Sequence, residues 1–171
     1  MKRVGFTIAI AALALGVPGA ALATHSGSQG GPREFAVGSA KNVFVDAGGP
    51  VDLAVSAHGP EPRLTGHVRG SGDIGGEFKV HGEVTCLRVE GRRASIKYRF
   101  DQAKGALAPF EGGGVQVFVE DNGPLGQPDA NSTDFPQPTG VFETNARLCD
   151  DPNTRLYNPV DSGNYVVHDA P

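Results

Sequence analysis

The chain has 171 residues, with 15 Lys and Arg against 19 Asp and Glu for a formal charge of −4. That balance excludes the generally basic surface that grips nucleic acid or anionic lipid without specificity. The 25 Gly and 13 Pro leave long helices almost nowhere to form, which excludes an all-helical fold as well.

Lys2 and Arg3 give the N-terminus a positive start, Ile8 to Val17 form an apolar run, and Ala21-Leu22-Ala23 supplies a small-x-small cleavage site. The run is shorter than the roughly twenty apolar residues that span a bilayer. Residues 1–23 therefore read as a cleaved secretory signal peptide. The expected location is secreted, extracellular or in the cell envelope, with no membrane insertion after cleavage. Residues 24–33 (THSGSQGGPR) hold almost nothing apolar and read as a flexible leader. Residues 34–171 are expected to form one β domain.

From there the hydrophobic period is two. Short strands are expected at Glu34 to Gly38 and Lys41 to Asp46, before a turn at 46–50. Val51, Leu53, Val55 and Ala57 then alternate with Asp52, Ala54, Ser56 and His58, the pattern of a half-buried strand. After a Gly-Pro turn at 59–62 come Leu64 to Arg69 and Gly76 to Val89. Gly91-Arg92 turns the chain into a further strand in which Ala94, Ile96, Tyr98 and Phe100 alternate with Ser95, Lys97 and Arg99. A two-residue turn there sets Val89 opposite Ala94 and Leu87 opposite Ile96, but it leaves Val84 on the wrong face. A bulge near Cys86 would resolve that conflict.

Asp101 to Phe110 is the one stretch with room for a helical turn or two. Val115, Val117 and Val119 mark another strand, and Asn122-Gly123-Pro124 a turn. Residues 124–138 and 149–161 read as long polar loops, which at that length are either pinned or functional. Thr139 to Ala146 and Gly163 to His168 complete the expected strands.

Cys86 and Cys149 are the only cysteines in a chain expected to leave the reducing cytoplasm, so a Cys86–Cys149 disulfide is expected. Closing so long a loop is worth roughly 4 kcal/mol in the chain-entropy model. A metal site and a catalytic thiol compete with that reading, but neither cysteine lies in a CxxC or has a nearby histidine.

Other candidates carry ordinary explanations. Residues 70–75 match GxGxxG, yet a strand follows where a nucleotide site needs a helix. Asp121, Asp129, Asp134, Asp150 and Asp151 are oxygen donors of the type calcium uses, without the spacing of a calcium loop. His58, His67, His81 and His168 have no HxH or HxxxH spacing and fit exposed strand positions. Asn131-Ser132-Thr133 fits the glycosylation acceptor pattern, which is common by chance. There is no GxSxG. A chain with no Trp and three Tyr also lacks the aromatic platforms usual in carbohydrate enzymes.

The segments at 56–59, 66–70, 78–91 (FKVHGEVTCLRVEG), 119–123 (VEDNG) and 163–170 (GNYVVHDA) occur together. In this the chain resembles a group of small exported bacterial β-rich proteins whose core reads GxVTCLxVxGNxA followed by VxDNG. The likeness runs from Val51 to Ala170 and departs at Arg92, where the group has Asn. It implies a compact antiparallel β domain and brings no catalytic, cofactor or metal residues with it.

The expected fold is thus all-β, a single antiparallel domain of about eight strands, an up-and-down β-barrel rather than a β-sandwich. The expected function is that of an exported, non-catalytic domain acting through a surface or protein partner, with no nucleic acid and no cofactor. The alternatives are a barrel holding a small apolar ligand inside and an enzyme whose site is assembled from distant strands.

Overall fold

The computed structural model describes residues 33–44, 49–59, 62–123 and 127–170. The expected signal peptide, nearly all of the leader and parts of the turns at 46–50, 59–62 and 122–124 lie outside the described residues. Nine strands form one antiparallel sheet: β1 (Phe35–Phe44), β2 (Gly49–His58), β3 (Thr65–Asp73), β4 (Glu77–Glu90), β5 (Arg93–Gly105), β6 (Gly114–Glu120), β7 (Ala130–Thr133), β8 (Asn158–Pro159) and β9 (Ser162–His168). Their order across the sheet is β8-β7-β6-β5-β4-β3-β2-β1-β9, an up-and-down meander closed at one end by the last strand.

The sheet curls into a barrel-like shape. Its two outermost strands, β8 and β9, are consecutive in the chain, so one terminal stretch pairs with β7 first and with β1 afterwards. Between them the Val160 amide donates to the Asp129 carbonyl at 2.9 Å and the Asp161 amide to the Lys41 carbonyl at 2.8 Å. Along β9 two carboxylates then substitute for a neighbouring strand. The Tyr165 amide donates to Asp129 Oδ2 at 2.6 Å and the Val167 amide to Asp121 Oδ2 at 3.2 Å. An exposed strand edge invites pairing with another chain, and these two side chains occupy it.

The β4–β5 hairpin follows the expected register: Val89 faces Ala94, Leu87 faces Ile96, and Gly91 turns with φ of 61°. The register shifts between Val84 and Cys86, which returns Val84 to the interior opposite Tyr98 and leaves Cys86 outside. A second shift lies at Gly82, where a Cβ would stand 1.6 Å from the Arg99 carbonyl oxygen, so the strands approach more closely than a side chain permits.

Alternation fills the inside with Val55, Val68, Ile96, Phe100, Val117 and Tyr165, all buried. The interior also holds a polar knot. Asn42 Nδ2 donates to Asn131 Oδ1 at 2.6 Å, and Asn131 Nδ2 donates to the Tyr165 hydroxyl at 3.0 Å. Burying these groups is tolerable because they satisfy one another. Burial, opposed by the Asn131 hydrogen bond, pushes the Tyr165 phenol up to about 12.

Three expectations are corrected. The two short strands expected at 34–46 are one continuous strand, β1. Thr139 to Ala146 is not a strand: a one-turn helix, α1 (Thr139–Glu143), begins after Pro138 and buries Phe142, and Ala146 is buried in the turn that follows it. Within the long loop expected at 124–138, Ala130–Thr133 forms β7, whose inward residue is the polar Asn131.

Candidate functional site

The outer surface of the sheet divides into two unlike halves. Over β4, β5 and β6 lies a strap, residues 134–157, containing α1 and a short 3-10 turn at Pro152–Thr154. Cys86 on β4 and Cys149 in the strap are joined by the expected disulfide, with Cα atoms 5.8 Å apart. Phe142 is fully buried against Gly114, where an added Cβ would stand 2.5 Å from its ring. Below the strap, Ser95, Lys97, Gln116 and Phe118 occupy outward positions yet are at most 5% exposed.

Lys97 reaches into the strap and serves as its internal anchor. Its Nζ donates to the Leu148 carbonyl at 2.6 Å, the Asn145 carbonyl at 3.1 Å and Asn145 Oδ1 at 3.2 Å. Burial lowers the Lys97 pKa, with Asp150 and Asp134 opposing the shift. Asp134 is shifted upward by burial, with Arg155 opposing. Arg155 pairs with Asp134 at 2.8 Å and Asp150 at 3.3 Å and lies 4.7 Å above the Phe118 ring. Arg93 pairs with Glu120, Arg99 with Glu143, and Arg88 with Glu90 and Asp151. The strand cations Arg88, Arg93, Lys97 and Arg99 beneath the strap are therefore held by acceptors. The strap's own outward side carries Phe135, Leu148 and Leu156, which are 93%, 67% and 91% exposed.

Over the other half, β9, β1, β2, β3 and the first part of β4, no strap lies among the described residues. Antiparallel register sets its outward residues in rows across the strands. One row places Phe35 between His168 and His58, with ring centroids 5.2 and 6.0 Å apart. Two strands over, His67 and His81 stack on each other at 5.4 Å. The next two rows line a groove of about 640 Å³ that crosses from β9 to β5. Small residues, among them Ser39, Ala54, Ser71 and Gly163, keep it open; Lys41, Arg69, Lys79, His81 and Gln102 stand around it. Lys41 pairs with Asp52 at 3.4 Å, both partners well exposed. Arg69 and Lys79 have no ion-pair partner among the described residues, and the acidic balance of the whole chain conceals this local cationic strip.

All four described histidines thus lie on the bare half, where period-two alternation carries them outward. His67 and His81 pair, whereas His58 and His168 are separated by Phe35, and no group of three metal-ligating side chains is found among the described residues. The aspartates are spread over several structural tasks. Asp121 and Asp129 hold the edge of β9, Asp134 and Asp150 hold Arg155, and Asp151 accepts from the Asn153 amide at 2.7 Å at the start of the 3-10 turn. The GxGxxG segment is the β3–β4 hairpin. Asn131 of the glycosylation-like triplet is buried in the interior knot, out of reach of a modifying enzyme in the folded protein.

One Ser–His contact exists: Ser56 Oγ lies 3.4 Å from His58 Nε2. Nucleophilic catalysis wants a third group to orient the imidazole, and among the described residues no carboxylate pairs with His58. No described helix is long and apolar enough to cross a membrane. No family model, curated protein or solved structure matches the chain.

Proposed function

We propose that this is an exported, non-catalytic binding domain that engages a surface or protein partner through the bare half of its outer sheet face. The observation that carries the reading is the contrast in charge pairing between the two halves. Where the strap covers the sheet, the cations on the strands are matched with acceptors. Across the bare groove Arg69 and Lys79 have no ion-pair partner among the described residues. Unpaired cations around a concave strip are the arrangement that a complementary partner would complete. The Cys86–Cys149 bridge accords with life outside the reducing cytoplasm.

The interior offers little support to the alternative of an apolar ligand held inside. Tyr165, Phe100, Ile96 and Val68 are under 2% exposed, and the polar knot of Asn42, Asn131 and Tyr165 occupies the remainder.

The test compares retention of the disulfide-bonded protein on envelope fragments of its own producing organism. The wild type is expected to sediment with the fragments. The double variant R69S/K79S should lose at least tenfold in retention, whereas R63S/R147S, which removes the same charge elsewhere, should behave as wild type. Equal retention of wild type and R69S/K79S would overturn the reading.

A further inference from the structure

The groove's shape and the spacing of its charges narrow the partner's chemistry. Lys41 on β1 and Lys79 on β4 lie in one row of the sheet, three strands apart. At the usual strand spacing their backbones are roughly 14 Å apart. A single small anion cannot reach both, and a chain bearing several anionic groups can. Arg69 stands one row away on β3, and Lys104 extends the row of Lys79 onto β5. Lys104, like Arg69 and Lys79, has no ion-pair partner among the described residues.

Between the cations the groove presents Ser39, Ser71, Ser162 and Gln102, with Asp52 as an acceptor. Hydroxyls and an amide suit a hydroxylated chain, because each can both donate and accept. A carboxylate in the lining would repel a bare polyphosphate but accepts hydrogen bonds from sugar or polyol hydroxyls. No Phe, Tyr or Trp lines the groove, and its imidazole, His81, is already stacked on His67, so the open aromatic platforms that single-stranded nucleic acid relies on are missing among the described residues there.

We infer that the groove binds an extended, hydroxylated polymer carrying carboxylate or phosphate groups at intervals, lying across the strands from β9 to β5. This rests on the bare face being the binding surface and adds the class of ligand. The contact is electrostatic with hydrogen bonding between the charges, so it weakens with salt. Three neutralised cations imply a loss of about an order of magnitude between 50 and 200 mM salt.

The experiment is titration of the full-length, disulfide-bonded exported protein with four probes: a labelled oligogalacturonate, a glycerol-phosphate oligomer, neutral dextran, and a single-stranded oligonucleotide. One or both of the first two should bind, and which one does identifies carboxylate or phosphate as the anionic group. R69S/K79S should weaken that binding at least tenfold, and R63S/R147S should leave it unchanged. Failure of both anionic polymers, equal binding of dextran, oligonucleotide binding as tight as either polymer, or an unaffected R69S/K79S variant would each overturn the inference. Should both polymers fail while envelope retention still depends on Arg69 and Lys79, the ligand class falls and the binding face stands.

Discussion

The two halves of the outer sheet face start from the same sequence pattern and end in opposite states. On both, outward residues alternate with inward apolar ones: Asp52, Ala54 and Ser56 on β2, Ser95, Lys97 and Arg99 on β5. On β5 the strap buries Ser95 and Lys97 and pairs Arg99 with Glu143. On β2 and its neighbours no described segment covers the row, and Arg69 and Lys79 are exposed. Alternation states which residues leave the core; what then covers them is decided by chain that lies 48 to 63 residues away. A polar residue facing outward on a strand is therefore not yet a surface residue.

If that contrast is real, the covered half should be the stability-bearing one. The largest effect is expected from replacing both cysteines with serine. Losing the bridge should cost roughly 4 kcal/mol by the chain-entropy account, read as a lower midpoint in denaturant unfolding. Core amides that exchange by global unfolding should all accelerate by the lost global stability, and residues 139–157 should in addition open locally, because the strap loses its covalent tie while the interior knot is untouched. Acceleration in residues 139–157 no greater than in β1 to β3 would mean that the strap is not a separate layer.

A smaller effect is expected at Lys97. K97M keeps the length of the stem and removes the ammonium, leaving the Asn145 and Leu148 carbonyls beneath the strap without their donor. Hydrogen bonds to a charged group are worth about 1.5–3 kcal/mol, and burial of the lysine has already lowered the net gain, so a loss of about 2 kcal/mol is expected. Equilibrium unfolding of K97M against wild type measures it. A gain in stability would show that desolvation of the ammonium outweighs its three hydrogen bonds.

Much of this architecture is legible from residues alone, and its failures are instructive. The β4–β5 hairpin, its register and the irregularity near Cys86 follow from period-two alternation that is otherwise self-contradictory at Val84. The disulfide follows from two cysteines in a chain whose N-terminus reads as an export signal. Thr139 to Ala146 reads as a strand because Thr139, Val141 and Phe142 favour one; the short helix wins because Phe142 and Ala146 fill the space above Gly114 and β4. Strand β7 is hidden because its inward residue is Asn131, whose place is earned by Asn42 on a strand 89 positions away. The groove is hidden for a related reason. It draws on strands from β9 to β5, and no local spacing records that Lys41, Arg69 and Lys79 share a face.

The smallest expected effect discriminates best between the halves. R69S/K79S removes two exposed charges that no carboxylate holds, so its stability should stay within about 0.5 kcal/mol of wild type. The same pair is expected to govern retention on the partner. A site selected for binding shows that separation: a large change in binding with almost none in unfolding midpoint. Lys97 should show the reverse, a shifted midpoint with the groove's binding intact, since it lies on β5 beneath the strap and faces no part of the groove. Measuring both quantities for both variants makes a crossed comparison in which each half controls for the other. If R69S/K79S shifted the midpoint by as much as K97M, the bare face would be a structural surface whose charges support the fold, and the division of labour between the halves would fail.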